Sequence, residues 1–189
     1  MSNKIALSRR HFLRNSGIFG AGAGLLAVAP NAFAKAASGK EKILSFYNIH
    51  TGERLAAPFW ENGEYLNDAI AEISHVLRDH RSGEAMPIDK KLFEYLYKLQ
   101  QVVGSSKRFE VISGYRSPQS NKHLRSQDSK GVAKKSFHMK GQAIDVRLPG
   151  TELAMLQKAA RKLQLGGIGY YPKSNFVHLD TGWVRSWKG

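Results

Sequence analysis

Stretches rich in hydrophobic, β-branched and aromatic residues recur along the chain and predict β-strands. In two of them, 109–113 and 142–148, hydrophobic and polar residues alternate with the two-residue period of a strand. The first two stretches enclose a turn at 51–54 and predict a hairpin, in which Pro58 confines the second strand to a sheet edge. The predicted strands are 43–50, 55–60, 109–113, 142–148, 166–171 and 176–180.

Between these strands, hydrophobic residues recur at helical spacing and predict helices with one buried stripe. The helices are predicted at 65–80, 89–103, 119–127 and 151–165. Asp89 and Thr151 are the expected N-caps of the second and fourth helix. His75 and His80 fall outside the stripe of the first helix, so both are expected at the surface. Helices and strands mixed in this order predict an α+β domain, built on a small antiparallel sheet flanked by helices.

The first 34 residues have the pattern of an export signal rather than of a folded element. Arg9 and Arg10 precede an apolar run at 17–30, and a small-residue cleavage site follows at 32–34. The paired arginines indicate a twin-arginine signal read by the Tat translocon. The alternative is an uncleaved N-terminal anchor, although the run is short and rich in glycine. We therefore expect a linker at 35–41, a domain at 42–189 and no stable membrane span after cleavage.

Charge and cysteine content narrow the functional classes. The chain has 29 Lys and Arg against 15 Asp and Glu and no cysteine, which excludes disulfides, thiolate ligands and a lipid-modified cysteine. Without residues 1–34 the formal charge is still +10. For an exported protein this charge suits the carboxylate-rich stem peptides of peptidoglycan or anionic lipid surfaces, rather than nucleic acid. A basic surface that serves only solubility is the alternative.

His138 and Asp145 form the first half of a predicted metal site. Seven residues separate them by about 10 Å along one helix, or about 23 Å along one strand. Neither distance allows both to bind one metal ion, so the chain must turn back, and Gly141 permits a sharp turn.

His178 supplies the second half, and Asp180 shares its face if 176–180 is a strand. Two histidines and one aspartate leave a fourth position open for water, which is typical of a catalytic zinc. We expect one Zn²⁺ per chain. The alternative is that each of these residues only caps a turn or forms a hydrogen bond.

Arg116 ends a predicted strand just before Pro118, and so projects from the sheet edge. Its planar guanidinium suits recognition of a carboxylate, and a surface salt bridge is the alternative. Tyr170 and Tyr171 lie in a glycine-rich stretch that lacks the features of a phosphate loop. They are expected either to line the cleft or to pack in the interior.

These motifs together resemble the LAS zinc peptidases of the D-Ala-D-Ala metallopeptidase superfamily, which include D-alanyl-D-alanine carboxypeptidases, lysostaphin-type enzymes and the hedgehog fold. The resemblance is carried by Ser-Gly-Tyr-Arg-Ser at 113–117, by His138-x-x-Gly-x-Ala-x-Asp145 and by His178-x-Asp180. Within this group the chain is more closely similar to murein endopeptidases, through nearly all of 35–189. Further shared segments are 49–53, 131–136 and 169–178.

The resemblance implies a zinc-dependent endopeptidase of the Gram-negative periplasm. It would cut peptide cross-links between peptidoglycan stem peptides, either diaminopimelate–diaminopimelate (3-3) or D-alanyl–diaminopimelate links. His138, Asp145 and His178 carry over as the metal ligands, and Arg116 carries over as the residue near the substrate carboxylate or the oxyanion. The remaining expected substrate contacts are Tyr115, Ser136, Tyr170 and Tyr171.

The chain departs from this family at the general base. Many members place an acid three residues before the last histidine, where this chain has Asn175, and others place a histidine at the position of Val177. Asp180 is the remaining acid on that strand face, and it is expected to be either the base or the hydrogen-bonding partner of His178.

Three other functions share parts of this pattern. A D-alanyl-D-alanine carboxypeptidase would use the same ligands, and a non-enzymatic peptidoglycan-binding module would not need a base. Nucleic-acid binding would require the protein to stay in the cytoplasm.

Overall fold

The structure is a computed structural model that describes residues 6–7, 41–127 and 131–189. The predicted signal peptide and linker lie outside the described residues, except for Ala6–Leu7 and Glu41.

Within the described ranges, nine strands form one sheet. Their order is β1–β3–β2–β5–β6–β8–β7–β9, and β4 pairs with β3 beside this path. The strands are β1 (Ala6–Leu7), β2 (Glu41–Asn48), β3 (Arg54–Glu61), β4 (Glu64–Tyr65), β5 (Phe109–Ser113), β6 (Ala143–Arg147), β7 (Gly167–Tyr171), β8 (Phe176–Asp180) and β9 (Arg185–Lys188).

The α+β class is confirmed, but the prediction of a small antiparallel sheet is wrong in size and in strand direction. The sheet is mixed, since β2 pairs with β5, β7 with β9 and β1 with β3 in parallel. β9 was missed because Arg185–Lys188 has no run of hydrophobic residues. Strand direction within a sheet depends on partners distant in sequence, which periodicity does not report.

Four α-helices lie among the described residues, close to the predicted positions. They are α1 (Asn67–Val76), α2 (Lys90–Val102), α3 (Pro118–Gln127) and α4 (Leu153–Leu163). Asp89 caps α2 as predicted, because its side chain accepts a hydrogen bond from Lys91 N. The prediction of Thr151 as the cap of α4 is wrong: Thr151 N donates to Leu148 O in the preceding turn, and Glu152 occupies the cap position. No described helix combines the length and the hydrophobicity needed to cross a bilayer.

The hydrophobic core lies between the sheet and the helices. α1 packs on β3, α2 packs on β2 and α4, and α4 packs on β7 and β8. Large side chains such as Phe46, Phe59 and Phe93 are fully buried there, each contributing about 1.5–3 kcal/mol. This core holds β5, β6 and β8 in place, and these are the strands that carry the predicted chemistry.

The position of His80 corrects the expectation that both His75 and His80 lie at the surface. His75 is exposed, but His80 is half-buried and its ring stacks on that of His50, with centroids 3.8 Å apart. The reason is that α1 ends at Val76, so the helical pattern does not extend to His80.

Candidate metal centre

His138 lies on a short 3₁₀ helix, Phe137–Lys140, immediately before β6. Ser136 caps this helix by accepting a hydrogen bond from His138 N. Gly141 ends it in the left-handed conformation, with φ 64°. A Cβ at this position would lie 2.5 Å from Pro87 O, so only glycine lets the chain turn here.

Asp145 and His178 meet because β6 and β8 are paired in antiparallel register, with these two residues directly opposite each other. Their side chains point to the same face of the sheet, and His178 Nδ1 lies 2.8 Å from Asp145 Oδ1. The strand pairing therefore brings together two residues that are 33 positions apart.

The three predicted ligands converge on one point. His138 Nε2 lies 3.1 Å from His178 Nδ1 and 3.3 Å from Asp145 Oδ1. All three residues are largely buried, and their ligand atoms lie within 4.8 Å of one another. Ligands of one tetrahedral zinc at about 2.0–2.1 Å are separated by about 3.3 Å. The donor set and its spacing therefore fit one divalent transition-metal ion.

The second nitrogen of each histidine is also fixed. His138 Nδ1 donates to Gly114 O at 2.7 Å, and His178 Nε2 donates to Asp180 Oδ2 at 3.0 Å. Such partners set the tautomer and the orientation of a ligating imidazole. They leave Nε2 of His138 and Nδ1 of His178 to face Asp145, as a shared metal would require.

Asp180 is fully buried and both its oxygens are occupied. Oδ1 accepts from Gly167 N and Gly182 N, and the Arg185 guanidinium donates to both oxygens at 3.0 and 2.7 Å. Burial alone would raise the pKa of Asp180, but the bonds from His178 and Arg185 hold it well below its usual range. Of the two expected roles, this position fits the partner of His178, because a general base must reach water in the cleft.

Electrostatics at the three converging residues are dominated by burial and by their mutual contacts. Burial would raise the pKa of Asp145, but the charges and hydrogen bonds of His138 and His178 hold it well below its usual range. Burial lowers the pKa of His138. For His178, burial lowers the pKa, but the hydrogen bonds to Asp145 and Asp180 outweigh it and raise the value to about 9. Asp145 is therefore an ionised, anionic ligand group at neutral pH.

Arg116 lies directly beside these residues. Its guanidinium NH2 is 3.8 Å from Asp145 Oδ2 and 3.4 Å from Ser113 Oγ. Its backbone N donates to His138 O at 3.2 Å, which ties the end of β5 to the 3₁₀ helix. Its Nε is buried and has no hydrogen-bond partner among the described residues. The Arg116 guanidinium therefore lies next to the three converging residues and lines the cleft.

The site opens into a cleft of about 500 Å³. Of the predicted substrate contacts, Arg116, Ser136 and Tyr171 line it. Most of the remaining lining was not predicted from the sequence. An aromatic wall consists of Phe137, Phe176, Trp183 and Trp187 together with the predicted Tyr171, and a basic lining consists of His50, Arg81, Lys135 and Arg185.

Tyr115 and Tyr170 do not line the cleft, so their positions do not support the expected substrate contact. Tyr115 is only 7 % exposed and belongs to the hydrophobic core, and Tyr170 packs against that core. Tyr170 and Tyr171 are neighbours on β7, so their side chains point to opposite faces of the sheet. Only Tyr171 reaches the cleft.

Two signals in the sequence could have found part of the missed lining. His50 lies in the 49–53 segment, which carried the family resemblance but was given no role. Two of the three tryptophans of the chain, Trp183 and Trp187, lie in its last seven residues. Such aromatic density beside a predicted ligand strand is a reason to expect a binding surface.

Known families and relatives match this chain over most of its length. The model of the family described as peptidoglycan L,D-endopeptidase MepK matches residues 36–187. The peptidoglycan L,D-endopeptidase MepK of Escherichia coli K12 is 43% identical over 185 residues, which cover 98% of this chain and 100% of the relative. A probable peptidoglycan L,D-endopeptidase MepK of Haemophilus influenzae is 41% identical over 166 residues, which cover 87% and 89%. None of the solved structures matches the chain.

Proposed function

This chain belongs to the peptidoglycan L,D-endopeptidase MepK family, and from this membership we propose that it is a metal-dependent murein endopeptidase that hydrolyses peptide cross-links between stem peptides. The observation that carries the proposal is the convergence of His138 Nε2, Asp145 Oδ1 and His178 Nδ1 at the base of a cleft. Family and site geometry point to the same chemistry, since this donor set is typical of metallopeptidases.

Zinc is the metal we propose, bound by these three side chains, one ion per chain. When bound, it supplies Lewis-acid polarisation of the scissile carbonyl and a lowered pKa for the attacking water. Gly114 O and Asp180 keep the two histidine rings oriented with the correct nitrogen toward the ion. Because both rings are largely buried, these hydrogen bonds also satisfy polar atoms that water does not reach.

Arg116 is proposed to bind the developing oxyanion or the carboxylate next to the scissile bond. Its NH2 group is already 3.8 Å from Asp145 Oδ2, and its buried Nε is an unused donor. A preorganised donor in a partly dry site stabilises such charge more than one in water does. Ser136 and Tyr171 line the same cleft and are proposed as further substrate contacts.

We propose diaminopimelate–diaminopimelate (3-3) links as the preferred substrate, because the named relatives are L,D-endopeptidases. D-alanyl–diaminopimelate links are the second substrate to test. A carboxypeptidase of the same fold would instead release a terminal D-alanine and leave cross-linked dimers intact.

Export to the periplasm by the Tat translocon is proposed from the paired Arg9 and Arg10 and the apolar run that follows them. The substrate supports this placement, since peptidoglycan lies outside the cytoplasmic membrane. Cleavage after Ala34 would leave a domain that is still basic, which suits a polyanionic substrate.

The test combines metal content with product analysis, on the wild type and on His138→Ala. We expect one zinc per chain and conversion of muropeptide dimers to monomers, with both lost in the variant. His75→Ala is the matched control, because His75 is exposed and does not line the cleft. Release of D-alanine from intact dimers would show a carboxypeptidase, and a metal-free protein that cleaves dimers would contradict the metal site.

A further inference from the structure

A second cluster of histidine and arginine side chains lies at the cleft, outside the metal centre. This histidine–arginine cluster consists of His50, His80 and Arg81, of which His50 and Arg81 line the cleft. The rings of His50 and His80 stack nearly parallel, with centroids 3.8 Å apart and planes 10° apart. The stack holds the exposed ring of His50 in place at the cleft. Nothing in the metal chemistry described above uses these residues.

The cluster presents nitrogen atoms that no described residue uses. His50 Nε2 lies 3.1 Å from Ile112 O, which only accepts, so Nε2 carries the hydrogen and Nδ1 remains free. The backbone N of Arg81 is anchored on Asp79 Oδ1 at 3.0 Å. Its guanidinium forms no hydrogen bond or ion pair with any described residue. An exposed and unpaired guanidinium beside a cleft is suited to bidentate binding of a carboxylate.

The local charge is positive. Four arginine and lysine side chains line the described part of the cleft, and the one carboxylate in this lining is Asp145. Arg185 pairs with Asp180, and Arg116 lies 3.8 Å from Asp145 Oδ2, whereas the Arg81 guanidinium has no such partner among the described residues. The pKa of His80 reflects this field: burial and the charges of Arg81, His50 and Arg116 lower it to about 4, against a smaller opposing effect of Asp79. His80 is therefore neutral at pH 7 and stacks on His50 without charge repulsion.

Asp79 carries a negative charge close to the cluster, but its oxygens are already occupied, so it forms no ion pair with the Arg81 guanidinium. Oδ2 accepts from Ser117 N at 2.9 Å, and Oδ1 accepts from Arg81 N. Asp79 is 1 % exposed and acts as the buried anchor of the loop. Arg81 is the one side chain of this loop that lines the described cleft, and its exposed positive charge would be balanced by a bound anion.

We propose that His50 and Arg81 form a second, anion-binding subsite, which binds a free carboxylate of the stem peptide at a distance from the scissile bond. The inference deepens the proposed endopeptidase function and rests on it. Stem peptides are rich in carboxylates, so an extended substrate carries several anions into one cleft. Arg81 would hold the carboxylate with its guanidinium fork, and His50 would donate from Nδ1 as an imidazolium, which carries a hydrogen on both ring nitrogens.

Contacts of this kind bind substrate and transition state equally, so they lower KM and leave kcat nearly unchanged. His80 is a positioning residue in this arrangement, since it touches the ring of His50 rather than the substrate.

The experiment compares two muropeptide dimers that differ in one group: the free diaminopimelate carboxylates, or the same groups as carboxamides. The measured quantity is the ratio of kcat/KM for the two dimers. Arg81→Ala and His50→Gln should each lower this ratio about tenfold, through KM, as expected for loss of a charged hydrogen bond. Arg161→Ala is the matched control, because it removes an exposed arginine on α4 outside the cleft lining.

A ratio that Arg81→Ala and His50→Gln leave unaltered would overturn the subsite while the endopeptidase function stands. An equal fall in this ratio for Arg81→Ala and Arg161→Ala would also overturn the subsite, since only the overall charge of the protein would then matter. A wild type that cleaves neither dimer would contradict the proposed function instead.

If the wild type cleaves neither dimer, the subsite can still be tested by equilibrium binding of the uncrosslinked diaminopimelate tripeptide and of its carboxamide. Weaker binding of the carboxylate peptide to Arg81→Ala, by about tenfold, supports the subsite. Binding that does not distinguish the two peptides overturns it.

Discussion

Asp180 lies directly behind His178 and accepts a hydrogen bond from its Nε2 at 3.0 Å, while Nδ1 of the same ring faces Asp145 Oδ1 at 2.8 Å. Arg185 holds Asp180 in turn, because its guanidinium donates hydrogen bonds to both oxygens of Asp180. One buried carboxylate thus decides which nitrogen of His178 is presented to a metal. The first two predictions test this relationship.

Asp180→Asn should weaken metal affinity by about 10- to 100-fold, because an amide holds the His178 ring less firmly than a carboxylate. A chelator-competition titration measures this affinity, and circular dichroism verifies that the variant is folded. A general base would behave differently: its loss would lower kcat at saturating metal and leave the affinity unchanged. That second outcome would contradict the positioning role.

Arg185→Lys should lower the free energy of unfolding by about 1–2 kcal/mol. Lysine keeps the charge but loses the two-pronged contact with Asp180 and the planar stacking of the guanidinium, which lies 4.4 Å from the Trp183 ring centroid. Urea denaturation measures the change. Arg161→Lys is the control and should have no measurable effect, since its side chain is exposed. Equal stabilities of the two variants would show that the guanidinium contacts do not matter.

Metal removal should lower the melting temperature of the wild type, because a ligand that binds only the folded state stabilises it. A free metal concentration of 100 times the dissociation constant raises the free energy of unfolding by about 2.7 kcal/mol. Differential scanning calorimetry with and without added zinc measures the shift. His138→Ala should show no zinc-dependent shift, since it removes one of the three ligand atoms. A similar shift in the variant would place the stabilising ion elsewhere.

Gly141→Ala should destabilise the protein more than Gly83→Ala. Both glycines have positive φ, at 64° and 76°, so each substitution costs about 1–2 kcal/mol of backbone strain. Only at Gly141 would the added Cβ also collide, with Pro87 O at 2.5 Å, whereas nothing lies within 4 Å at Gly83. Denaturant midpoints compare the two variants. Equal losses would mean that the chain next to His138 shifts freely, against the rigid turn described above.

Asp79 should contribute stability that is lost in acid. Burial raises its pKa, but hydrogen bonds from Ser120, Ser117 N and Arg81 N outweigh this and lower the pKa to about 2, from an ordinary value of 3.8. Because the folded value is the lower one, the contribution is present above about pH 4 and is lost as the pH falls toward 2.

Asp79→Asn should therefore cost about 1–3 kcal/mol at pH 7 and progressively less below pH 4. Unfolding free energies of the two proteins between pH 7 and 2 give the difference directly. Glu64→Gln, at an exposed carboxylate, is the control and should leave the pH profile unchanged. A difference that stays constant down to pH 2 would contradict the role of the ionised carboxylate.

The sequence by itself determined the local elements and singled out the three residues that are proposed to bind the metal. Hydrophobic periodicity reports which face of a segment is buried, so the four helices and most strands were predicted within a few residues. The absence of cysteine restricted any transition-metal site to histidine and carboxylate ligands, and Gly141 marked the turn between two of them. These are local properties, fixed by residue types and short spacings.

The tertiary structure alone decided how these elements are assembled. The pairing of Asp145 with His178 depends on the register of β6 on β8, and the parallel pairing of β2 with β5 and of β7 with β9 makes the sheet mixed. The approach of His138 Nε2 to His178 Nδ1 and the stacking of His50 on His80 follow from contacts between segments that are distant in sequence. Such contacts depend on the packing of the whole core, and residue periodicity along one segment carries no information about its partners.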